Sequence, residues 1–277
     1  MLAALLATPV KTFVIAAAVF IPFERLAGRH TEQRVLRRGW AMDVLTGLLN
    51  GLLLYAALLL ALAAIDAGAG LAAPQLRAWI AARPLWAQSL IALVLGDLGV
   101  YAIHRLQHTV PWLWRFHAVH HSAEEMDWLV GLRFHPFDLL LLRVASLGPL
   151  FAFDLAPAAI ALFVAISGWQ AWLVHANVRV PYGPLRWLLV SPEFHHWHHS
   201  AEREAYDRNY ASLVASWDVL FGTVYLPDGR EPLRYGIEER MPDGWIGRFF
   251  HPFHRRPAAA PSPAPASPSA DPIVSVG

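Results

Sequence analysis

Nine histidines fall into spacings that place them on shared helix faces. They are His104-Arg-Leu-Gln-His108, His117-Ala-Val-His120-His121, and His195-His196-Trp197-His198-His199, with His175 between the last two groups. Residues three and four apart project from one side of a helix, so each group presents two or three imidazoles at one place. Neutral imidazole is the commonest metal ligand in proteins. Eight or nine such rings are too many for one first-row ion and suit two. On an ideal helix of about 100° per residue, His195, His198 and His199 cover an arc of roughly 100° and His196 lies about 60° beyond it. The third group therefore offers His195, His198 and His199, with His196 as a neighbour. The second offers His117, His120 and His121 by the same rule, and the first offers His104 and His108.

A solitary His-x-x-x-His pair is weak evidence, because helices carry such pairs by chance. Two His-x-x-His-His sets plus a pair, in a chain without cysteine, are strong evidence. For His175, a structural role stands beside ligation. His135 precedes Pro136 and so sits in extended chain, where a structural role leads. His30, His251 and His254 read as surface residues.

Metal-bound imidazoles donate their second N–H to a carboxylate or carbonyl. Acids flank each group: Glu124, Glu125 and Asp127, then Glu193, then Asp207 and Asp218. Asp97 stands out, seven residues before His104 on the same helix face and inside an apolar run, where an ionisable group is costly and usually functional. Its alternative use is to pair with an arginine inside the membrane, such as Arg143. Asp97, His135, Asn177, Asn209 and Asp218 are the candidates for residues supporting the ligands.

The elements that carry these groups are apolar. The chain has 277 residues, 56% hydrophobic and 16% charged, against about 25% charge in an ordinary globular domain. Val44–Ile65 is a run of 22 residues, and Leu85–Ile103 is a second; a spanning helix needs about 20. Leu139–Phe153 and Ala158–Val174 are shorter and read as a hairpin or a re-entrant pair. Leu2–Phe23 reads as a retained first helix, since nothing basic precedes Lys11. The segment 24–40 holds five arginines and the 66–84 loop two, which puts the first on the cytoplasmic side. Every histidine group then arrives on that same side. The expected fold is all-α: an integral, multi-pass membrane bundle of four to five hydrophobic helices or hairpin segments, with a cytoplasmic histidine-rich helical cap holding a dinuclear metal site. One membrane domain is expected over 1–256, with its histidine core at about 97–223. The Ala/Pro/Ser-rich stretch 257–277 is expected to be a disordered tail.

With no cysteine, thiolate zinc sites, iron–sulfur clusters and cysteine nucleophiles drop out. A net charge of +1 without a basic run gives no reason to expect nucleic acid. A zinc hydrolase needs about three ligands and an open position, and no His-Glu-x-x-His motif is present. A metal transporter or sensor would distribute its histidines at mid-membrane depth. Two irons that activate O2 fit both the ligand number and the lipid setting.

The same residues resemble a known family. His104-x3-His108, His117-x2-His120-His121 and His195-x2-His198-His199 are similar to the histidine motifs of the fatty acid hydroxylase/sterol desaturase superfamily. So are Leu113–His117, Arg133–Pro136, His175-Ala176-Asn177, Asn209-Tyr210 and Trp217–Thr223. The resemblance implies a membrane oxygenase with a non-haem di-iron centre. It also implies O2 as co-substrate and a fatty acyl, sterol or related lipid substrate, with hydroxylation or desaturation as the outcome. Two departures stand out. The position four residues after His175, a histidine in eukaryotic members, is Arg179. No His-Pro-Gly-Gly haem motif occurs, so electrons are expected from a separate cytochrome b5-like or ferredoxin-like protein.

Overall fold

Long apolar runs can satisfy their backbone polar groups in lipid only as helices or closed barrels, and here they are helices. The computed structural model describes residues 2–254. Its helices are α1 (Leu2–Leu26), α2 (Trp40–Ala72), α3 (Pro74–Ala81), α4 (Leu85–Thr109), α5 (Pro111–His121), α6 (Pro136–Ala152), α7 (Pro157–His175), α8 (Pro192–His198), α9 (Ser216–Leu220) and α10 (Trp245–Phe250). No strand occurs among the described residues, only isolated bridges. The tail expected over 257–277 lies outside them.

Among the described residues, α2, α4 and α7 are long and apolar enough to cross a membrane. In α2 only 11% of the apolar window is buried by protein, so its other faces need an apolar solvent. Its buried positions are mostly polar: Asp43, Thr46 and Asn50, with Leu62. Asn50 donates to Phe134 O at 2.9 Å. Leu48, Leu52, Leu53 and Leu60 face outward. A helix polar within and apolar without is a helix in lipid, and the protein is a membrane protein. The 17-residue α6 is about 26 Å long, short of the roughly 30 Å hydrocarbon core. It packs between α2 and α4 and, with α1, brings the hydrophobic helices to five.

Two glycines set how closely the bundle closes. A Cβ on Gly99 of α4 would stand 2.1 Å from the Ala145 carbonyl oxygen of α6, and one on Gly96 would stand 2.4 Å from the Phe163 ring of α7. The 66–84 segment, expected as loop, contains α3. Pro74 opens it, and Arg77 donates to Asp66 Oδ1 at 2.6 Å and to the Ala152 carbonyl at 3.2 Å, capping the end of α6.

A buried ion network ties the bundle to the cap. Arg37 donates to Asp43 and Asp127, each at 2.6 Å, and Arg133 donates to Asp43 at 2.6 and 3.0 Å. Asp127, expected beside the second histidine group, is thus committed to Arg37 and to the N–H of Leu129 at 3.1 Å. α5 and α8 both start on proline, and Ser191 Oγ accepts from Phe194 N at 3.1 Å to cap α8.

The Gly99 contact predicts that Gly99→Ala destabilises the protein by about 1–3 kcal/mol, because backbone cannot yield to the new methyl. Gly51, whose Cβ would meet nothing within 4 Å, should accept alanine at no loss or with a gain of up to about 1 kcal/mol. Thermal unfolding of both variants in the same detergent checks the contrast.

Candidate metal centre

Helix phase and chain reversal together gather the imidazoles. His104 and His108 sit on the last two turns of α4. Val110 and Pro111 break the chain, and α5 carries His117, His120 and His121 back across the same face. His175 ends α7, and α8 brings His195 and His198, with His199 just past its end. Nine imidazoles, those of the three sequence groups without His196 together with His175, converge in two groups: His104, His108, His117, His121 and His198 in one, and His120, His175, His195 and His199 in the other. Within each group the potential ligand atoms lie within 4.8 Å of one another. The groups abut, with His121 and His199 ring centroids 4.4 Å apart. His196 joins neither group; its ring bonds Tyr235 Oη at 3.0 Å and the Ala176 carbonyl at 3.1 Å.

Five rings have an acceptor at Nδ1. His104 donates to Tyr210 O (2.8 Å), His120 to Arg133 O (3.0 Å), His175 to Ala171 O (2.5 Å), His198 to Arg208 O (2.8 Å) and His117 to Asp138 Oδ2 (3.1 Å). Each such bond puts the proton on Nδ1 and leaves a lone pair on Nε2. Those Nε2 atoms face other Nε2 atoms: His104 with His117 at 3.1 Å, His120 with His175 at 3.2 Å, His175 with His195 at 3.0 Å, and His195 with His199 at 3.2 Å. The Nε2 atoms of His108, His121 and His198 are buried without any partner. Lone pairs converging at this spacing repel unless a cation lies among them. Burial, reinforced by neighbouring rings, holds His120, His121, His195 and His199 well below the ordinary imidazole range, and His198 at about 3. All five are therefore neutral and ligand-competent at physiological pH. The donor set fits transition ions that favour imidazole, and each group could hold one.

The other expected site residues stand at different removes. Asp218 accepts from Tyr210 N (2.9 Å) and Ala211 N (2.7 Å), so it fixes the carbonyl that receives His104. Asn209 donates to Phe194 O at 2.9 Å and to Tyr225 O at 2.7 Å, locking α8 to the loop below it. Asp207 and Asn209 both adopt positive φ (57° and 59°), which turns the Arg208 and Tyr210 carbonyls onto His198 and His104. Asp97 touches no imidazole and no arginine. Its carboxylate accepts from Leu213 N (2.8 Å), Val214 N (2.9 Å) and Trp217 Nε1 (3.0 Å), because the 212–217 loop dips into the bundle and offers unpaired N–H groups there. His135 caps α6, accepting from Phe137 N at 3.1 Å and donating to Phe249 O at 3.0 Å. Asn177 clasps the backbone of His30 at 2.9 and 3.0 Å. Arg179 points away to Glu231 at 2.7 Å, and the group containing His175 has four rings against five in the other.

Asp138 is the residue sequence reasoning missed. It binds His117 with one oxygen and takes Gln107 Nε2 on the other at 2.6 Å, fully buried. The available signal was its place just after Arg133-Phe134-His135-Pro136, in the opening turn of a helix.

A cavity of about 120 Å³ leads away from the imidazoles. His104, His117, His120, His175 and His195 form one end, and Val100, Leu139, Leu142, Phe163 and Val174 line the passage between α4, α6 and α7.

Residues 89–223 match the fatty acid hydroxylase family. The chain is 33% identical over 175 residues to the ornithine lipid hydroxylase of Rhizobium tropici, covering 62% of this chain and 52% of that protein. It is 32% identical over 141 residues to the alkylglycerol monooxygenase of Homo sapiens (51% of this chain, 31% of that one). It is 27% identical over 156 residues to the cholesterol 25-hydroxylase of Rattus norvegicus (56% and 52%). The chain thus spans from 31% to 52% of the length of these relatives. No solved structure matches it. The similarity to the fatty acid hydroxylase family thus lies in residues 89–223, just under half of the chain.

Loss of the Asp138 contact should weaken metal binding about 10–100-fold. Chelator competition on Asp138→Ala measures this. His196→Gln, in the same assay, should leave metal content unchanged.

Proposed function

We propose that this protein is a membrane-bound oxygenase that uses O2 and external electrons to hydroxylate a lipid. The observation that carries the reading is the continuity between the converged Nε2 atoms and the apolar passage among α4, α6 and α7. A soluble substrate has no use for an apolar approach, and a lipid chain does. The relatives are named hydroxylases or monooxygenases of an ornithine lipid, an alkylglycerol and cholesterol, which favours hydroxylation over desaturation.

His104, His108, His117, His121 and His198 would hold one iron, and His120, His175, His195 and His199 the second. Together the two irons supply the oxidising power, drawn from O2, that an unreactive C–H bond demands. The protein supplies everything else. Asp138 and the carbonyls of Arg133, Ala171, Arg208 and Tyr210 hold the rings in one tautomer and one orientation. The walls around Val100, Leu142 and Phe163 exclude water and align an apolar chain toward the rings. Asp97, Asn209 and Asp218 pin the 209–217 segment and its surroundings, from which the Arg208 and Tyr210 carbonyls project.

Residues 1–256 act as one multi-pass membrane domain with the histidine end in the cytoplasm, beside the arginines of segment 24–40. A separate cytochrome b5-like or ferredoxin-like protein delivers electrons there.

Detergent-purified protein prepared without oxygen should contain about two irons per chain. Given a reductant, membrane lipid and isotopically labelled O2, it should yield a lipid alcohol carrying the label. His120→Ala and His198→Ala, one from each group, should each lose about half the iron and essentially all turnover. Turnover by metal-free variants, or one zinc per chain with oxygen-independent hydrolysis, would replace this reading with another chemistry.

A further inference from the structure

Arg143 is a charge without a counter-charge. It lies near the middle of α6, away from either helix end, where a long side chain could reach a bilayer surface. Its side chain is accessible and lines a cavity. The cavity is the one that ends on His104, His117, His120, His175 and His195. Among the described residues no carboxylate lies within ion-pair distance of it, and its guanidinium donates no hydrogen bond. Asp97, the acid closest in expectation, gives its oxygens to the 213–217 backbone and Trp217. Arginine does not shed its proton in proteins. Its five donors therefore sit unanswered in a passage otherwise lined by Val100, Leu139, Leu142 and Phe163, with the hydroxyls of Ser146, Ser167 and Ser212 as the other polar groups nearby.

An unpaired cation in such a passage is costly. Arg37 and Arg133, by contrast, are paired with Asp43 and Asp127. We propose that Arg143 is the anchor for the anionic group of an amphiphilic substrate, a carboxylate or a phosphate, held so that a carbon close to that group faces the histidines. The planar guanidinium fork matches both anions in a bidentate manner. Arg143 follows Asp138 by five residues, about 7.5 Å along the helix, and Asp138 is in contact with His117. The carbon presented to the rings then lies within a handful of bonds of the anionic group, and the far end of the chain extends toward Phe163. Lipids without a charge near the reacting carbon would be poor substrates.

The inference rests on the oxygenase reading for its account of the passage, and its test reads binding rather than turnover. Iron-loaded full-length protein in neutral detergent is titrated with oleate, oleyl phosphate and oleyl alcohol, in competition with a fluorescent fatty acid. Oleate or oleyl phosphate should bind about 10–100-fold more tightly than the alcohol, the range of a charge-assisted contact, and the better of the two identifies the anion. Arg143→Gln should bind all three alike with iron content unchanged, and Arg143→Lys should keep part of the preference. Equal affinities in the unaltered protein, or a preference that survives in Arg143→Gln, overturns the proposal. The comparison in the unaltered protein decides the matter even if the glutamine variant does not fold. Absence of iron would instead remove the oxygenase reading.

Discussion

The structure is organised by the second nitrogen of each imidazole. Nine rings have been taken out of water and turned inward, and every ring so placed carries a second ring nitrogen that water can no longer satisfy. The fold answers with acceptors at fixed positions. Asp138 serves His117, and backbone carbonyls serve His104, His120, His175 and His198. A carbonyl is a good acceptor here, since it brings no net charge into a site that could hold ions. Its weakness is that only the path of the backbone can aim it. Much of the cap is therefore machinery for aiming carbonyls: the left-handed Asp207 and Asn209, the Asp218 clasp on Tyr210 and Ala211, and the Arg133 segment.

Arg133 joins that machinery to the membrane. Its carbonyl holds His120, while its guanidinium is locked to Asp43 in the opening turn of α2 and, through Asp43, to Arg37. Breaking one member of such a buried set typically costs about 3–5 kcal/mol, because it strands a charge. The same residue thus orients a ligand and fastens the cap to a helix that is apolar on its outer face. On the other side of the site, Gly96 and Gly99 let α4 approach α6 and α7 closely enough for His104 and His108 to meet His175 and α5.

How much of this could be read in the sequence depended on range. Eight of the nine converging histidines lie three and four residues apart within short segments, so helix periodicity grouped them and set His196 aside, while His175 stands alone in the sequence. The apolar runs marked the helices. The partners behind the rings were not legible, because each is defined by a contact between distant segments. Asp138 meets His117 across 21 residues and His104 meets the Tyr210 carbonyl across 106, and a carbonyl has no side-chain signature. Asp97 shows the converse error. Its helix phase toward His104 was read correctly, but a loop more than a hundred residues later claims the carboxylate. α3 escaped because eight residues with two charges nearby resemble a loop.

The converged histidines do not all ride on the same kind of element. His104, His108 and His175 belong to α4 and α7, helices with the length and apolarity of bilayer spans, whereas the rings of α5 and α8 belong to the cap. Spans adjust their tilt when the thickness of the surrounding hydrocarbon changes, and the cap does not feel that thickness directly. Each of the two histidine groups contains rings from both classes. The spacing of the converged nitrogens is accordingly a function of bilayer thickness, and acyl-chain length in the host membrane becomes a tuning parameter of the histidine cluster.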